Sequence, residues 1–204
     1  WGDTYGYGAA KACSMIIREN LTPFLLGQDP LDNERLWEAM YYGTQQYGRK
    51  GLVVRAISAL DIALWDIKGQ KAGMPIYKLL GAFRDNVPVY ISGGYYRRDE
   101  GLKELQAEME HWAEVGYKGV KMRVGMLSIK EDVERIRIAR KALGDEAYLM
   151  MDAEFLWDDA NAAIRAIKAY EEYNPYWIEG PCPLNKILDH ARIRKAVSTP
   201  IATG

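Results

Sequence analysis

Ala147-Tyr148-Leu149-Met150-Met151-Asp152 is an almost unbroken apolar run that ends on a carboxylate. A run this short, apolar nearly throughout, reads as a strand covered on both faces, as in parallel sheets. Comparable runs lie at 119–124 before it and at 176–179 and 200–203 after it. The four starts, at 119, 147, 176 and 200, are 28, 29 and 24 residues apart. Helical patterns fill the intervals, over 129–143, 158–173 and 184–197. An earlier β-type run at 87–92 is followed by a helical stretch over 99–115. A strand–helix unit repeated at this interval predicts a parallel α/β fold. A doubly wound sheet would carry a glycine-rich phosphate loop after its first strand, and the turn Ser92-Gly93-Gly94-Tyr95 has no such pattern. The architecture expected is therefore a partial (β/α)8-type (TIM-like) barrel, with its fifth strand being laid down as the sequence reaches residue 204.

Upstream of residue 86 the sequence reads as mostly helical. Helices are expected over 9–20 and 34–42, with a Tyr-, Gln- and Gly-rich loop over 43–51. From Leu52 to Lys71, Val53, Ile57, Leu60, Ile62, Leu64 and Ile67 recur at helical spacing and mark the strongest helix. Met74-Pro75 breaks it, and a short turn follows over 76–80.

Hydrophobic residues make up 49% and charged residues 27% of the 204, a balance that predicts a folded core and excludes disorder. A net charge of −1 argues against a nucleic-acid partner. No apolar run approaches the length of a membrane helix, so no membrane partner is expected. Cys13 and Cys182 stand far apart without metal-ligand spacing, read as free thiols, and suit a reducing, cytoplasmic setting. The sequence opens on Trp1 with no leader pattern, and its natural start is expected upstream.

In a (β/α)8 barrel, functional side chains gather where strands end. Those positions hold Lys121 and Arg123, then Asp152, then Glu179, with the fifth strand ending at Thr203-Gly204. Strand side chains alternate, so Lys121 and Arg123 share a face while Met122 turns to the helices. Either carboxylate alone could simply cap the next helix, and a Lys-x-Arg pair alone could be a solvated charge cluster. Together, two cations beside two carboxylates lower those odds, and the residues by themselves leave both readings open.

The segment Ala56-Ile57-Ser58-Ala59-Leu60-Asp61-Ile62-Ala63-Leu64-Trp65-Asp66-Ile67-Lys68-Gly69-Gln70, continuing through Pro75-Ile76 to Leu79-Leu80-Gly81, resembles the signature helix of the mandelate racemase and muconate lactonizing enzyme families of the enolase superfamily. Gly119-Val120-Lys121-Met122-Arg123, Met151-Asp152-Ala153-Glu154 and Trp177-Ile178-Glu179-Gly180-Pro181 agree with it in order and spacing. The resemblance implies an incomplete N-terminal α+β capping domain over 1–85 and the first half of a barrel domain over 86–204. It implies that Asp152 and Glu179 are two of three carboxylates around one Mg²⁺, the third being a Glu directly after Gly204. An all-oxygen ligand set suits a hard cation. Lys121 matches the lysine that contacts the substrate carboxylate in the K-x-K motif of the family.

Arg123 departs from that motif, in which the second lysine is a base. Arginine stays protonated, so it holds anions well and accepts protons poorly. Two-base racemisation is thereby disfavoured, and a one-base dehydration, with a His from later strands, fits better. His111 and His190 lie within helices away from the strand ends and are expected to pack or face solvent. Glu154 stands where relatives often carry Asn in a D-x-N motif. Tyr95 and Tyr96, with Arg97 and Arg98, and the pair Tyr41-Tyr42 are candidates to face the substrate.

The resemblance thus implies a Mg²⁺-dependent lyase that dehydrates an aldonic or aldaric acid through an enediolate, with a small carboxylate as its substrate. The whole protein is expected to be a homo-oligomer. A racemase or epimerase of a 2-hydroxy acid is the same-fold alternative, and a truncated, non-catalytic binding fragment is the other.

Overall fold

The computed structural model describes residues 1–99 and 101–203. The chain divides into two compact units, Trp1–Asn86 and Val87–Gly204.

The described residues of the first unit form helices. α1 (Ala10–Ile16) runs through a π-helical turn (Ile17–Leu21) into the short α2 (Thr22–Leu25). α3 (Asn33–Gly48), α4 (Leu52–Ala72) and α5 (Ile76–Leu79) follow. Leu21, Met40, Val53, Ala56 and Ile57 make its core. α3 runs to Gly48, through residues expected to be a loop. Tyrosine, glutamine and glycine are loop-prone only on average, and here tertiary packing decides. A Cβ at Gly43 would fall 2.3 Å from Phe24, and one at Gly48 would fall 2.4 Å from Val53, so both glycines permit close packing. α4 ends where Gly73 adopts φ +64°. The Gly73 and Met74 amides then donate to Gln70 and Gly69, closing the last turn.

The second unit is a parallel α/β layer. Its elements are β1 (Ile91–Gly93), α6 (Leu102–Val115), β2 (Gly119–Arg123), α7 (Ile129–Leu143), β3 (Tyr148–Asp152), α8 (Ala160–Tyr170) with a 3-10 turn (Glu171–Tyr173), β4 (Ile178–Glu179), α9 (Ile187–Ala196) and β5 (Ile201–Ala202). The five strands form one sheet in the order β1-β2-β3-β4-β5, every pair parallel. This sheet and its alternating helices fit the expected partial (β/α)8-type barrel. β1 is shorter than expected: residues 87–90 lie outside it, and Val87 and Val89 are exposed. Gly204, at the end of the fifth strand segment, lies outside the described residues.

Val120, Met122, Leu149, Met151 and Ile178 face the helices and pack with Ile136, Ala139, Ala163, Ile167 and Ile193. The alternation then turns Lys121, Arg123, Met150, Asp152 and Glu179 to the other face. Local signals fix where the helices start. Ser128 accepts from the Glu131 amide at 3.3 Å while Glu131 accepts from the Ser128 amide at 3.0 Å, a capping box for α7. Asp159 caps α8 by accepting from the Asn161 and Ala162 amides.

Candidate active site at the strand ends

Sheet register sets the first element of the site. Arg123 lies opposite Asp152, and Asp152 lies opposite Glu179. Three neighbouring strands therefore end on charged side chains at one level, on the face away from the helices.

Lys121 Nζ bridges the two carboxylates, 2.7 Å from Glu179 Oε2 and 3.2 Å from Asp152 Oδ2. Burial disfavours the charged ammonium, but hydrogen bonds to Glu179 and Asp152 outweigh it and hold the lysine pKa above its ordinary value. Arg123 Nη1 lies 2.7 Å from Asp152 Oδ2 and pairs also with Glu154. Asp152 is only 6% exposed, so its two cations compensate a charge that water scarcely reaches. Its other oxygen accepts from the Glu154 amide at 2.9 Å. The site thus joins Lys121 and Arg123 to Asp152, Glu154 and Glu179.

The loop after β3 holds unusual backbone. Glu154 and Phe155 take φ of +49° and +63°, a left-handed conformation uncommon for such residues. The Phe155 amide donates to the Gly180 carbonyl at 2.7 Å, and a Cβ on Gly180 would fall 3.0 Å from the Phe155 ring. Packing against the end of β4 holds this turn, which aims Glu154 at Arg123.

Aromatic rings flank both cations. Tyr95 lies 5.5 Å from the Arg123 guanidinium and its hydroxyl is 3.0 Å from Ser92 Oγ. Tyr90, which sequence reasoning did not single out, lies 5.9 Å from Lys121 Nζ. Tyr96 points elsewhere, its hydroxyl 2.5 Å from buried Asp132. His111 packs against Trp112, and both ring nitrogens of His190 are buried with no hydrogen-bond partner among the described residues. Neither histidine is among the groups that meet at the strand ends.

Asp152 and Glu179 give a pair of hard oxygen donors at adjacent strand ends, a fit to a divalent cation of the magnesium type. Among the described residues no cluster of three His, Cys, Asp or Glu forms. No described helix is long and apolar enough to cross a membrane.

A parallel α/β sheet with paired carboxylates and cations at its strand ends defines a barrel-type site, and known families match most of the chain. Residues 1–81 match the mandelate racemase / muconate lactonizing enzyme N-terminal domain, and residues 104–204 match the enolase C-terminal domain-like family. Arabinonate dehydratase of Saccharolobus solfataricus is 35% identical over 99% of this chain and 54% of its own length. L-talarate/galactarate dehydratase of Salmonella typhimurium is 43% identical over 88% of this chain and 45% of its own. The solved structure of the latter, liganded with Mg and L-lyxarohydroxamate, superposes with a TM-score of 0.90 at 38% identity, over 100% of this chain and 51% of that one. A racemase from Streptomyces coelicolor with bound magnesium gives a TM-score of 0.90 at 36% identity, over 95% and 54% of the two chains. The chain belongs to the enolase superfamily, in its mandelate racemase/muconate lactonizing enzyme-like branch. It spans about half the length of the curated relatives it matches.

Proposed function

We propose that this protein serves a Mg²⁺-dependent dehydration of a sugar acid, an aldonate or aldarate. The observation that carries the reading is the convergence of Lys121 and Arg123 on Asp152 and Glu179 at adjacent strand ends. The dehydratases among its relatives, one of them solved with Mg and a sugar-acid analogue, support the same chemistry.

Asp152 and Glu179 would hold the ion, which when bound stabilises negative charge developing on the substrate carboxylate. Lys121 and Arg123 bind and orient that carboxylate, two fixed cations facing charge that grows as the α-proton leaves. Arg123 cannot take the proton, because its guanidinium stays charged. The general base and a third oxygen ligand are assigned to residues beyond Gly204 in the whole protein. Loss of the α-proton gives an enediolate, and the β-hydroxyl then departs as water after protonation. The resulting enol takes a proton at carbon to become a 2-keto acid. Glu154 and Tyr95 hold Arg123 in place, and Tyr95 is positioned to border the substrate.

The test is a panel of sugar acids, including arabinonate, talarate and galactarate, given to the whole protein with Mg²⁺. Formation of a 2-keto acid that stops on adding EDTA is the expected result. Inversion of configuration without keto acid would replace this reading with a racemase or epimerase. Turnover indifferent to EDTA would remove the metal from it.

A further inference from the structure

Asp132, in the first turn of α7, is fully buried and takes no part in the chemistry above. It does not cap its helix, because Ser128 and Glu131 already do so. Its oxygens instead reach three other segments. Oδ1 accepts from the Tyr96 hydroxyl at 2.5 Å, in the loop after β1. Oδ2 accepts from the Gly125 amide at 2.7 Å, in the loop after β2, and from the Tyr170 hydroxyl on α8 at 3.3 Å. The Met126 amide donates in turn to the Tyr96 hydroxyl at 3.4 Å.

Arg135, one turn on, completes the arrangement. Its guanidinium stacks on Tyr96 at 4.2 Å, donates to the Gly94 carbonyl at 2.7 Å and lies 3.9 Å from Asp132 Oδ1. Gly94 cannot be replaced freely, since φ is +58° and a Cβ would fall 2.7 Å from the Met122 Cβ. One buried ion pair thus reaches the backbone at both Gly94 and Gly125, while Glu108 accepts from the Gly94 amide at 3.3 Å. Gly94 is followed by Tyr95, whose ring lies against Arg123, and Gly125 follows Arg123 by two residues.

A buried carboxylate is costly to desolvate unless its hydrogen bonds are made, and those of Asp132 are made to three separate segments. We propose that Asp132 is a positioning residue for the carboxylate-binding site: with Arg135 it clamps the loops after β1 and β2, holding Tyr95 and Arg123 in register with Lys121. The inference rests on the reading of Lys121 and Arg123 as the substrate-carboxylate binders.

The experiment compares wild type, Asp132→Asn and Tyr96→Phe in the whole protein. Amide exchange at Gly125 and Met126 reports the clamp, galactarate binding by calorimetry with Mg²⁺ reports the site, and Mn²⁺ binding reports the metal ligands. Tyr96→Phe removes one hydroxyl and keeps the Gly125 bond, so it reads the clamp even where Asp132→Asn folds poorly. The expected result is faster exchange and galactarate affinity weakened about tenfold in Asp132→Asn, and less in Tyr96→Phe, with Mn²⁺ affinity unchanged. Unchanged exchange overturns the clamp. Faster exchange with wild-type galactarate affinity reduces Asp132 to a packing role and overturns the positioning. Failure of wild type to bind galactarate or any other acid of the panel overturns it too, together with the role of Arg123. Galactarate binding without any keto acid from the sugar-acid panel would instead defeat the dehydratase reading and leave the clamp standing.

Discussion

Lys121 Nζ stands 2.7 Å from Glu179 Oε2, although 58 residues of chain separate them. Two strand–helix crossovers, from β2 to β3 and from β3 to β4, bring them together, and the in-register ladder sets their level. Lys121 also lies 3.2 Å from Asp152, so its ammonium is fixed by both carboxylates before any substrate arrives. Lys121→Met keeps the stem and removes the charge. It is predicted to lower kcat/KM for the sugar acid on the order of a hundredfold, as truncation of a desolvated charge partner does. Steady-state kinetics at saturating Mg²⁺ checks this, and a change under threefold would remove Lys121 from substrate binding.

Glu154, two residues after Asp152, carries a φ of +49°. Asparagine tolerates this region better than longer side chains do, because its short amide can bond locally. Glu154→Asn and Glu154→Gln both delete the pairing with Arg123, so their difference isolates the backbone. Glu154→Asn is predicted to be more stable than Glu154→Gln by about 0.5–1 kcal/mol. Urea denaturation of the two variants measures it, and equal midpoints would mean the turn stores no strain at this residue.

Arg140, 8% exposed, donates to the carbonyls of Ala147, Asn174, Gly144 and Tyr173 at 2.7–3.1 Å. It ties the end of α7 to the turn that leads into β4. Arg140→Met fills the space but removes the guanidinium donor from those carbonyls, of which Gly144 keeps the Ala147 amide at 3.4 Å. A loss of about 3 kcal/mol is predicted, with Arg140→Lys recovering part of it, both read from denaturant midpoints.

Glu171 Oε1 accepts from the Ser198 amide and hydroxyl, each at 2.6 Å, and from the Thr199 amide at 3.0 Å, pinning the turn before β5. Partial burial raises its pKa, but the Ser198 and Thr199 hydrogen bonds favour the anion more, and the carboxyl sits below its ordinary value. A depressed folded pKa adds stability that is present above the unfolded value near 4.3 and is lost as pH falls through the folded value. Solvent screens a carboxylate this exposed, so Glu171→Gln is predicted to be less stable than wild type by only about 0.5 kcal/mol at neutral pH, with the gap narrowing below about pH 4. Thermal melts across pH 3–8 follow it, and a gap that stays constant into acid would contradict the assignment.

The alternation of apolar strands and helices at a near-constant interval made the parallel sheet legible, because burial on both faces leaves continuous apolar runs. Lys121, Arg123, Asp152 and Glu179 were legible as strand-end residues of a barrel. The clamp around Asp132 was not. An acidic residue early in a helix reads as ordinary dipole chemistry, and only the fold brings Tyr96, Gly125 and Tyr170 to it. The continuation of α3 to Gly48 was hidden for a related reason, since Phe24 and Val53 fill space that only glycine leaves. Tyr90 gave no local signal either, as its place near Lys121 depends on β1 pairing with β2.

Asp152 and Glu179 are proposed to hold a divalent ion together, beside Lys121. The most direct measurement is Mn²⁺ titration of the whole protein by electron paramagnetic resonance, with Mg²⁺ as competitor, in wild type, Asp152→Asn and Glu179→Gln. One Mg²⁺-displaceable site per chain in wild type, weakened at least tenfold in each variant, is the predicted result. Binding of equal strength in all three proteins would place the metal elsewhere and remove both carboxylates from its site.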